Sequence, residues 1–437
     1  MKWIQFTVLL AFVPRILAQD ASSLQLVASL PTCGLQCLVT SVQASSCSLT
    51  NTTCVCTNEP LQAVIASCVA SSCTIKESLT VKNITDGLCH VPLNDKSASF
   101  EIIVVTMGVF TGMMVALRMV SAYILGISLY ADDYTILITF ISGIPSSVLL
   151  GHFLPKNGIG RDIWHVPFDQ ITEFVHIFYA AEVLYFAQVA LLKIGLLLFY
   201  LRIFSKSKIG KYIHGTIVLN IIVGVTFIIA ALFQCQPINY NWNRWDGEHS
   251  GKCVNINAVS WANSALSILL DAWMLALPMS QLATLQLHWK KKIGVAMMFM
   301  VGAFVTVISI LRLRTLVIFG SSQNPTWDNY EVGVWSDLEI NVGIICTCMP
   351  CLRLLLVRMF PKIFGGSVNR STNYAKNYAS NNDRSQFGTK KSGARRQDDA
   401  DDVEILRESV EMARIGPLTP TSHGDTKTGF KIQQQDV

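Results

Sequence analysis

Seven apolar runs follow one another at about 100–124, 133–153, 172–201, 213–235, 258–282, 293–319 and 335–358. Each approaches the ~20 residues that a helix needs to cross the hydrocarbon core of a bilayer. A soluble core could not absorb this much apolar length. Hydrophobic residues make up 51% of the chain and charged residues only 14%, against roughly 25% charged in an average soluble domain. The sequence therefore reads as an all-α membrane protein with a seven-helix bundle at 100–358 and the lipid bilayer as its main partner. Pro145, Pro278 and Pro350 lie inside runs, where they are expected to kink helices rather than end them. There is no basic domain, so no nucleic-acid partner is expected.

Cysteine is concentrated ahead of the runs. Of the 13 cysteines, those from Cys33 to Cys89 form a dense eight-residue set, which reads as a disulfide framework and requires an oxidising compartment. The first 18 residues agree with that compartment. Lys2 is followed by a short apolar stretch, Trp3 to Val13, broken by Pro14 and Arg15, and Ala18 precedes a cleavage point at Gln19. This is the pattern of a secretory signal peptide. A cysteine module at 19–95 then lies outside the cell, and seven crossings place the C-terminus in the cytoplasm of a plasma-membrane protein. Basic residues support that orientation: Arg202, Lys206, Lys208 and Lys211 follow the third run, and Lys290 to Lys292 precede the sixth. The first inner loop is the exception, with Arg118 set against Asp132 and Asp133. Residues 359–437 are polar and expected to be a disordered cytoplasmic tail. The sequons at Asn51 and Asn83 fall on the outer side and nominate glycosylation sites.

Spacing suggests a pairing for the module. Cys33 and Cys37 are i, i+4 and share one helix face; Cys68 and Cys73 lie on a second apolar segment. If the two segments pack antiparallel, Cys33 meets Cys73 and Cys37 meets Cys68. The short loop then favours Cys47 with Cys54, leaving Cys56 with Cys89; a Cys54–Cys89 link is the competing outcome. Cys235 and Cys253 bracket an outer loop containing Trp242 and Trp245 and are expected to form a fifth disulfide, with two free thiols as the alternative.

Two resemblances emerge from these residues. The intervals between the eight cysteines, 3, 9, 6, 1, 11, 4 and 15 residues, resemble those of the CFEM domain, a module of fungal extracellular and membrane proteins. The stretches ADDY, GIGRDIWHV, AAEVLYFAQVALLKIGLLLFYLRIF, LLDAWMLALPM, GAFVTVISILRL and WSDLEINVGIICTCMP resemble the fungal rhodopsin-like seven-helix domain. Together they resemble fungal CFEM-containing, G-protein-coupled-receptor-like proteins linked to pathogenicity. That resemblance implies a cell-surface sensor of an external ligand or surface, signalling to a heterotrimeric G protein. It implies no retinal, since there is no lysine between Trp335 and Arg358. Haem-binding CFEM domains take an aspartate between the third and fourth cysteines as the axial ligand, and the alignment puts Asn51 there. A neutral carboxamide is a much poorer ligand for ferric iron than a carboxylate, so no haem, metal or other cofactor is expected. Two other readings stay open: an accessory in haem or iron capture, and a non-signalling adhesion or wall-associated protein.

Ionisable residues inside spans are functional candidates because inserting each costs roughly 2.5–3.5 kcal/mol. Here they include Glu182, Lys193, Asp271, Arg312 and Glu339. Arg312 and Glu339, both read as lying on the outer side, form a plausible pair, and a structural ion pair is as good a reading as a ligand contact. Asp271 is expected near mid-bundle with no basic neighbour at its depth. Lys193 is expected to snorkel toward the inner face. Arg202, closing the third run in YLRIF, is read first as an anchor at the inner face and second as a coupling residue. No HExxH, GxSxG or Walker loop is present, so the chain is not expected to be an enzyme.

Overall fold

Three side chains that start helices set the frame of the N-terminal module. They are seen in a computed structural model that describes residues 27–49, 51–126, 128–204, 209–284, 289–320 and 322–359. The signal segment 1–18 and, Met359 apart, the tail 359–437 lie outside the described residues. The module has four helices: α1 Thr32–Gln43, α2 Thr52–Thr57, α3 Glu59–Ser72 and α4 Ile75–Leu88. Asn51 caps α2, its Oδ1 accepting the Cys54 N–H at 3.0 Å, and Asn58 caps α3 through the Leu61 N–H at 3.2 Å. Thr74 and Glu77 form a reciprocal capping box at the start of α4. Caps of this kind each contribute about 1 kcal/mol. Cys37, Val42, Leu61, Ile65, Val69 and Val81 make a small buried core. Gly34 lets α1 lie directly on α4, since a Cβ there would meet Val81 Cγ2 at 2.3 Å. The disulfides are Cys33–Cys73, Cys37–Cys68, Cys47–Cys54 and Cys56–Cys89, the pairs that antiparallel α1 and α3 would bring together.

The bundle follows as α5 Ser97–Leu125, α6 Ala131–Val148, α7 Phe168–Phe204, α8 Ile209–Leu232, α9 Ile256–Thr284, α10 Trp289–Phe319 and α11 Pro325–Met359. Six of these are long and apolar enough to cross a membrane by length and composition, and α10, with 31 residues, completes the seven. Helices α7 and α11 form the centre, burying 56% and 61% of their apolar stretches, against 17% for α8. Helix α6 carries Pro145 and passes directly into a π-turn at Leu149–Phe153 and a last turn at Leu154–Lys156. The missing proline N–H and the π-turn locally break the i to i−4 ladder. Leu150 and Leu154 are thereby turned onto Phe100 and Val104 of α5.

Helix α11 begins at Pro325, about ten residues before the apolar run at 335. Its first turns are too polar to register as a span, yet Thr326 is fully buried and Tyr330 stacks on Phe100 at 5.6 Å. This moves Glu339 well into the helix, about 21 Å from its start at 1.5 Å per residue. Sequence reading placed it just below the outer end.

The GIGRD segment binds the module side of the bundle together. The Lys96 N–H donates to Gly160 O and the Gly160 N–H to Thr326 O, both at 2.9 Å. Arg161 pairs with Asp95 at 2.9 Å, and Asn324 donates to Asp162 Oδ1 at 2.7 Å. Gly160 has φ +75°, and a Cβ on it would lie 3.1 Å from the Lys96 carbonyl carbon. A side chain meets both a left-handed backbone and a wall. Gly160→Ala is therefore expected to lower stability by about 2 kcal/mol or more, read by thermal unfolding.

In the next loop on that side, β1 Cys235–Gln236 pairs antiparallel with β2 Lys252–Cys253, and a disulfide joins Cys235 to Cys253. The loop they close folds down on α7: Trp242 stacks on His176 at 4.5 Å, and the Trp245 Nε1–H donates to Thr172 Oγ1 at 2.9 Å.

Candidate functional site

The apolar packing of α7, α9, α10 and α11 is interrupted at mid-bundle by a connected set of polar side chains. Lys193 Nζ on α7 donates to Asp271 Oδ1 and to the Ser267 carbonyl of α9, each at 2.7 Å. Ser309 Oγ on α10 lies 3.3 Å from Asp271 Oδ2 and 2.5 Å from Glu339 Oε1 on α11. Arg312 Nε is 2.8 Å from Glu339 Oε2, which also accepts the Tyr185 hydroxyl at 2.5 Å. The Arg312 guanidinium stacks over the Tyr185 ring at 4.7 Å. Two cations and two anions balance, as low-dielectric burial requires.

This arrangement corrects two expectations. Lys193 does not snorkel, and Asp271 does have a basic neighbour. Helix α7 starts on the module side well before its apolar run, so depth read from that run misplaces Lys193. Its long stem then reaches α9. Glu182 is placed apart from this set: it accepts the Ser260 hydroxyl at 3.1 Å and the Gln234 amide at 3.4 Å, and pairs with no cation among the described residues.

A second cluster lies at the end of the bundle away from the module, and sequence reading missed it. Arg118 on α5, only 1% exposed, pairs with Asp132 at 2.7 Å and Asp133 at 2.8 Å, both at the start of α6. It also donates to the Thr347 carbonyl of α11. Arg202 at the end of α7 lies 3.4 Å from Asp132 and stacks on the Tyr130 ring at 3.9 Å. The ADDY segment thus ties four helices at one point. Its acids, counted against orientation in the sequence, are an internal ion cluster, and Arg202 is part of it rather than a free surface anchor. The available signal was the adjacency of two acids to a lone arginine across a short loop.

The cysteine module rests on the bundle's loops. Leu79 of α4 packs with Ile163, Val166 and Ile171, flanked by Trp164 and Trp245. Lys76 reaches Glu248 at 2.7 Å and Asp246 at 3.3 Å, and those bonds hold its ammonium above the ordinary lysine range. Burial opposes ionisation of Asp246, but the Glu248 N–H, His249 and Lys76 outweigh it and keep its pKa below the usual 3.8. A lowered carboxylate pKa stabilises the fold fully above the free value and loses that contribution as pH falls through the lowered one. The contact is therefore complete at neutral pH and weakens only in strong acid.

Asn51 and Asn83 are both exposed on the module, as a glycan acceptor requires. Asn51 also spends its carboxamide oxygen on the α2 cap. Haemin titrated into the oxidised module, residues 19–95, is expected to give no saturable Soret shift. Asn51→Asp, in unglycosylated protein, is expected to gain one, since aspartate caps a helix as well as asparagine. The one group with metal-like spacing among the described residues is Cys33, Cys73 and Glu77. Its sulfurs are tied in a disulfide and its carboxylate closes the α4 capping box, so neither is free to ligate.

Comparison with known proteins places this geometry. Over 210 residues the chain is 29% identical to the SAT4 family membrane protein of Emericella nidulans, covering 47% of this chain and 52% of that one. It is 26% identical over 195 residues to Receptor GIN3 of Arthrobotrys oligospora, covering 45% and 47%. It is 26% identical over 179 residues to Satratoxin biosynthesis SC1 cluster protein 4 of Stachybotrys chartarum, covering 40% and 63%. The chain thus spans about half the length of the curated relatives it matches. No solved structure matches it. Residues 26–90 match the CFEM domain and residues 117–358 the Fungal rhodopsin domain; with more than half its length in that match, the chain belongs to the fungal rhodopsin domain family and carries a CFEM domain ahead of its membrane bundle.

Proposed function

We propose that this protein is a plasma-membrane receptor, not an enzyme, in which the CFEM module and outer loops sense an external cue and the bundle relays it to a heterotrimeric G protein. The observation that carries this reading is the neutral Lys193–Asp271–Ser309–Glu339–Arg312 chain. It joins four helices at mid-bundle through contacts that a small helix shift would exchange. Packed, charge-matched networks of this kind give discrete alternative arrangements rather than continuous ones. Arg202 and the ADDY acids stand at the end where the cytoplasmic partner would bind. The printed name of the Arthrobotrys relative, a receptor, supports the same class. Basic inner loops support an outside N-terminus and a cytoplasmic C-terminus.

The test is guanine-nucleotide exchange on purified Gα subunits, with the full-length protein in nanodiscs. Accelerated exchange that falls in Arg202→Ala is expected. No acceleration under any tested stimulus, together with no co-purification of Gα, would sink the coupling step.

A further inference from the structure

We propose that the module-side half of the bundle is a binding site for an apolar molecule bearing a protonated amine, anchored on Asp337. This deepens the receptor reading and rests on it for the biological role of the ligand. A cavity of about 530 Å³ lies between α5, α6, α7 and α11, within the roughly 300–1,000 Å³ typical of small-molecule sites. Its walls include Phe140, Phe178, Tyr185 and Phe186. Aromatic faces of this kind hold an apolar body and attract an organic cation.

The polar groups decide the charge of the occupant. Asp337 is 6% exposed, lines the cavity, and its Oδ2 has no hydrogen-bond partner. No lysine, arginine or histidine pairs with it among the described residues. Glu182 lines the same cavity, also without a cation. The lining arginine, Arg312, has its charge matched by Glu339 at 2.8 Å. Glu101 and His152 complete the lining titratable groups, and both are exposed. The uncompensated charge inside the cavity is therefore negative.

A buried, unpaired carboxylate is costly, and a matching ammonium removes that cost. A carboxylate ligand would instead face Asp337 and Glu182 together. Arg312 Nη2, also buried and unpartnered, remains free to donate to a hydroxyl, ether or carbonyl oxygen on the same molecule. The ligand class is thus an aromatic or alicyclic amine with a hydrogen-bond acceptor. Two features keep the space open. The π-turn after Pro145 sets His152 and Gly151 at the edge of the cavity. Across it, a Cβ on Gly108 would meet nothing nearer than Ser147 Oγ at 3.7 Å.

The experiment uses the full-length protein in lipid nanodiscs without G protein. Naphthylethylamine is the probe, with naphthylpropionic acid and ethylnaphthalene as controls of like shape. Saturation-transfer NMR and thermal unfolding report binding. The amine is expected to bind saturably and at least about tenfold more tightly than either control. Asp337→Asn is expected to lose that preference while raising the unfolding temperature of the free protein, because it removes an unpaired buried charge. Asp337→Glu is expected to keep the preference. Gly108→Leu fills the cavity from the opposite wall and is expected to exclude the amine without touching Asp337. Equal or tighter binding of the acid, or amine affinity unchanged in Asp337→Asn or Gly108→Leu, would overturn the site. Because no G protein is present, failure of the coupling step leaves this result intact, and absence of amine binding removes the site alone.

Discussion

Lys193→Met is expected to destabilise the bundle by about 3–5 kcal/mol, the usual cost of stranding one partner of a buried ion pair. The Asp271 carboxylate would keep only the Ser309 hydroxyl, at 3.3 Å, in a site where its side chain is 9% exposed. The Ser267 carbonyl would lose its donor as well. Methionine is close to lysine in length and fills the same space, so the loss reports charge and hydrogen bonding rather than a cavity. Removing both charges in Lys193→Met/Asp271→Leu is expected to recover most of the stability, since a buried pair replaced by apolar side chains is often neutral. The double variant should nevertheless lose stimulus-dependent exchange on Gα, because Ser309 and Glu339 no longer connect to α7 and α9. Thermal unfolding in nanodiscs and the exchange assay separate the two effects. A double variant as unstable as the single, or one that still responds, would show that the pair is not the unit that holds and switches the bundle.

Arg118→Ala is expected to lower stability by a similar ~3–5 kcal/mol, for a different reason. One guanidinium serves two carboxylates and a backbone carbonyl on three helices, and removing it leaves Asp132 and Asp133 side by side in a buried site. Arg202, 3.4 Å and 3.6 Å from the two acids, is too loosely placed to take over both. Lysine is expected to rescue poorly, since it lacks the planar fork that meets several acceptors at once. Asp133→Asn in the Arg118→Ala background is expected to restore part of the loss by removing one of the two stranded charges. Arg202→Ala, by contrast, leaves the Arg118 contacts in place and is expected to cost about 1 kcal/mol. Comparable losses at the two arginines would mean that the cluster has no dominant partner.

Features that depend on the chain's own spacing were legible before any coordinates. Seven apolar runs announce seven helices, and an i, i+4 cysteine pair facing a second helical pair limits the disulfide options. What depended on helix rotation and depth was not. Lys193 and Asp271 meet only because α7 extends beyond its apolar run, and nothing in that run reports the extension. The first turns of α11 are helical through packing against α5 and the loops, so hydropathy skips them and misplaces Glu339. Arg118, Asp132 and Asp133 were visible as charges but were weighed against the sidedness of loops, where a cluster turned inward counts with the wrong sign. Arg312 and Glu339 could be matched in sequence because their opposite charges have few competing partners.

The attachment of the module has a kinetic consequence. Asp95 and Lys96 are held by Arg161 and Gly160, which leaves residues 90–94 as the free tether between Cys89 and the membrane. Such a segment spans about 17 Å at full extension. A module lifted off its seat therefore stays in its neighbourhood at an effective concentration in the millimolar range. Even contacts as weak as Lys76 with two loop carboxylates then suffice to keep it seated most of the time. A molecule that occupies the α4 face need compete only against that local concentration, so a modest affinity would shift the seated fraction, and reseating after its departure would be fast.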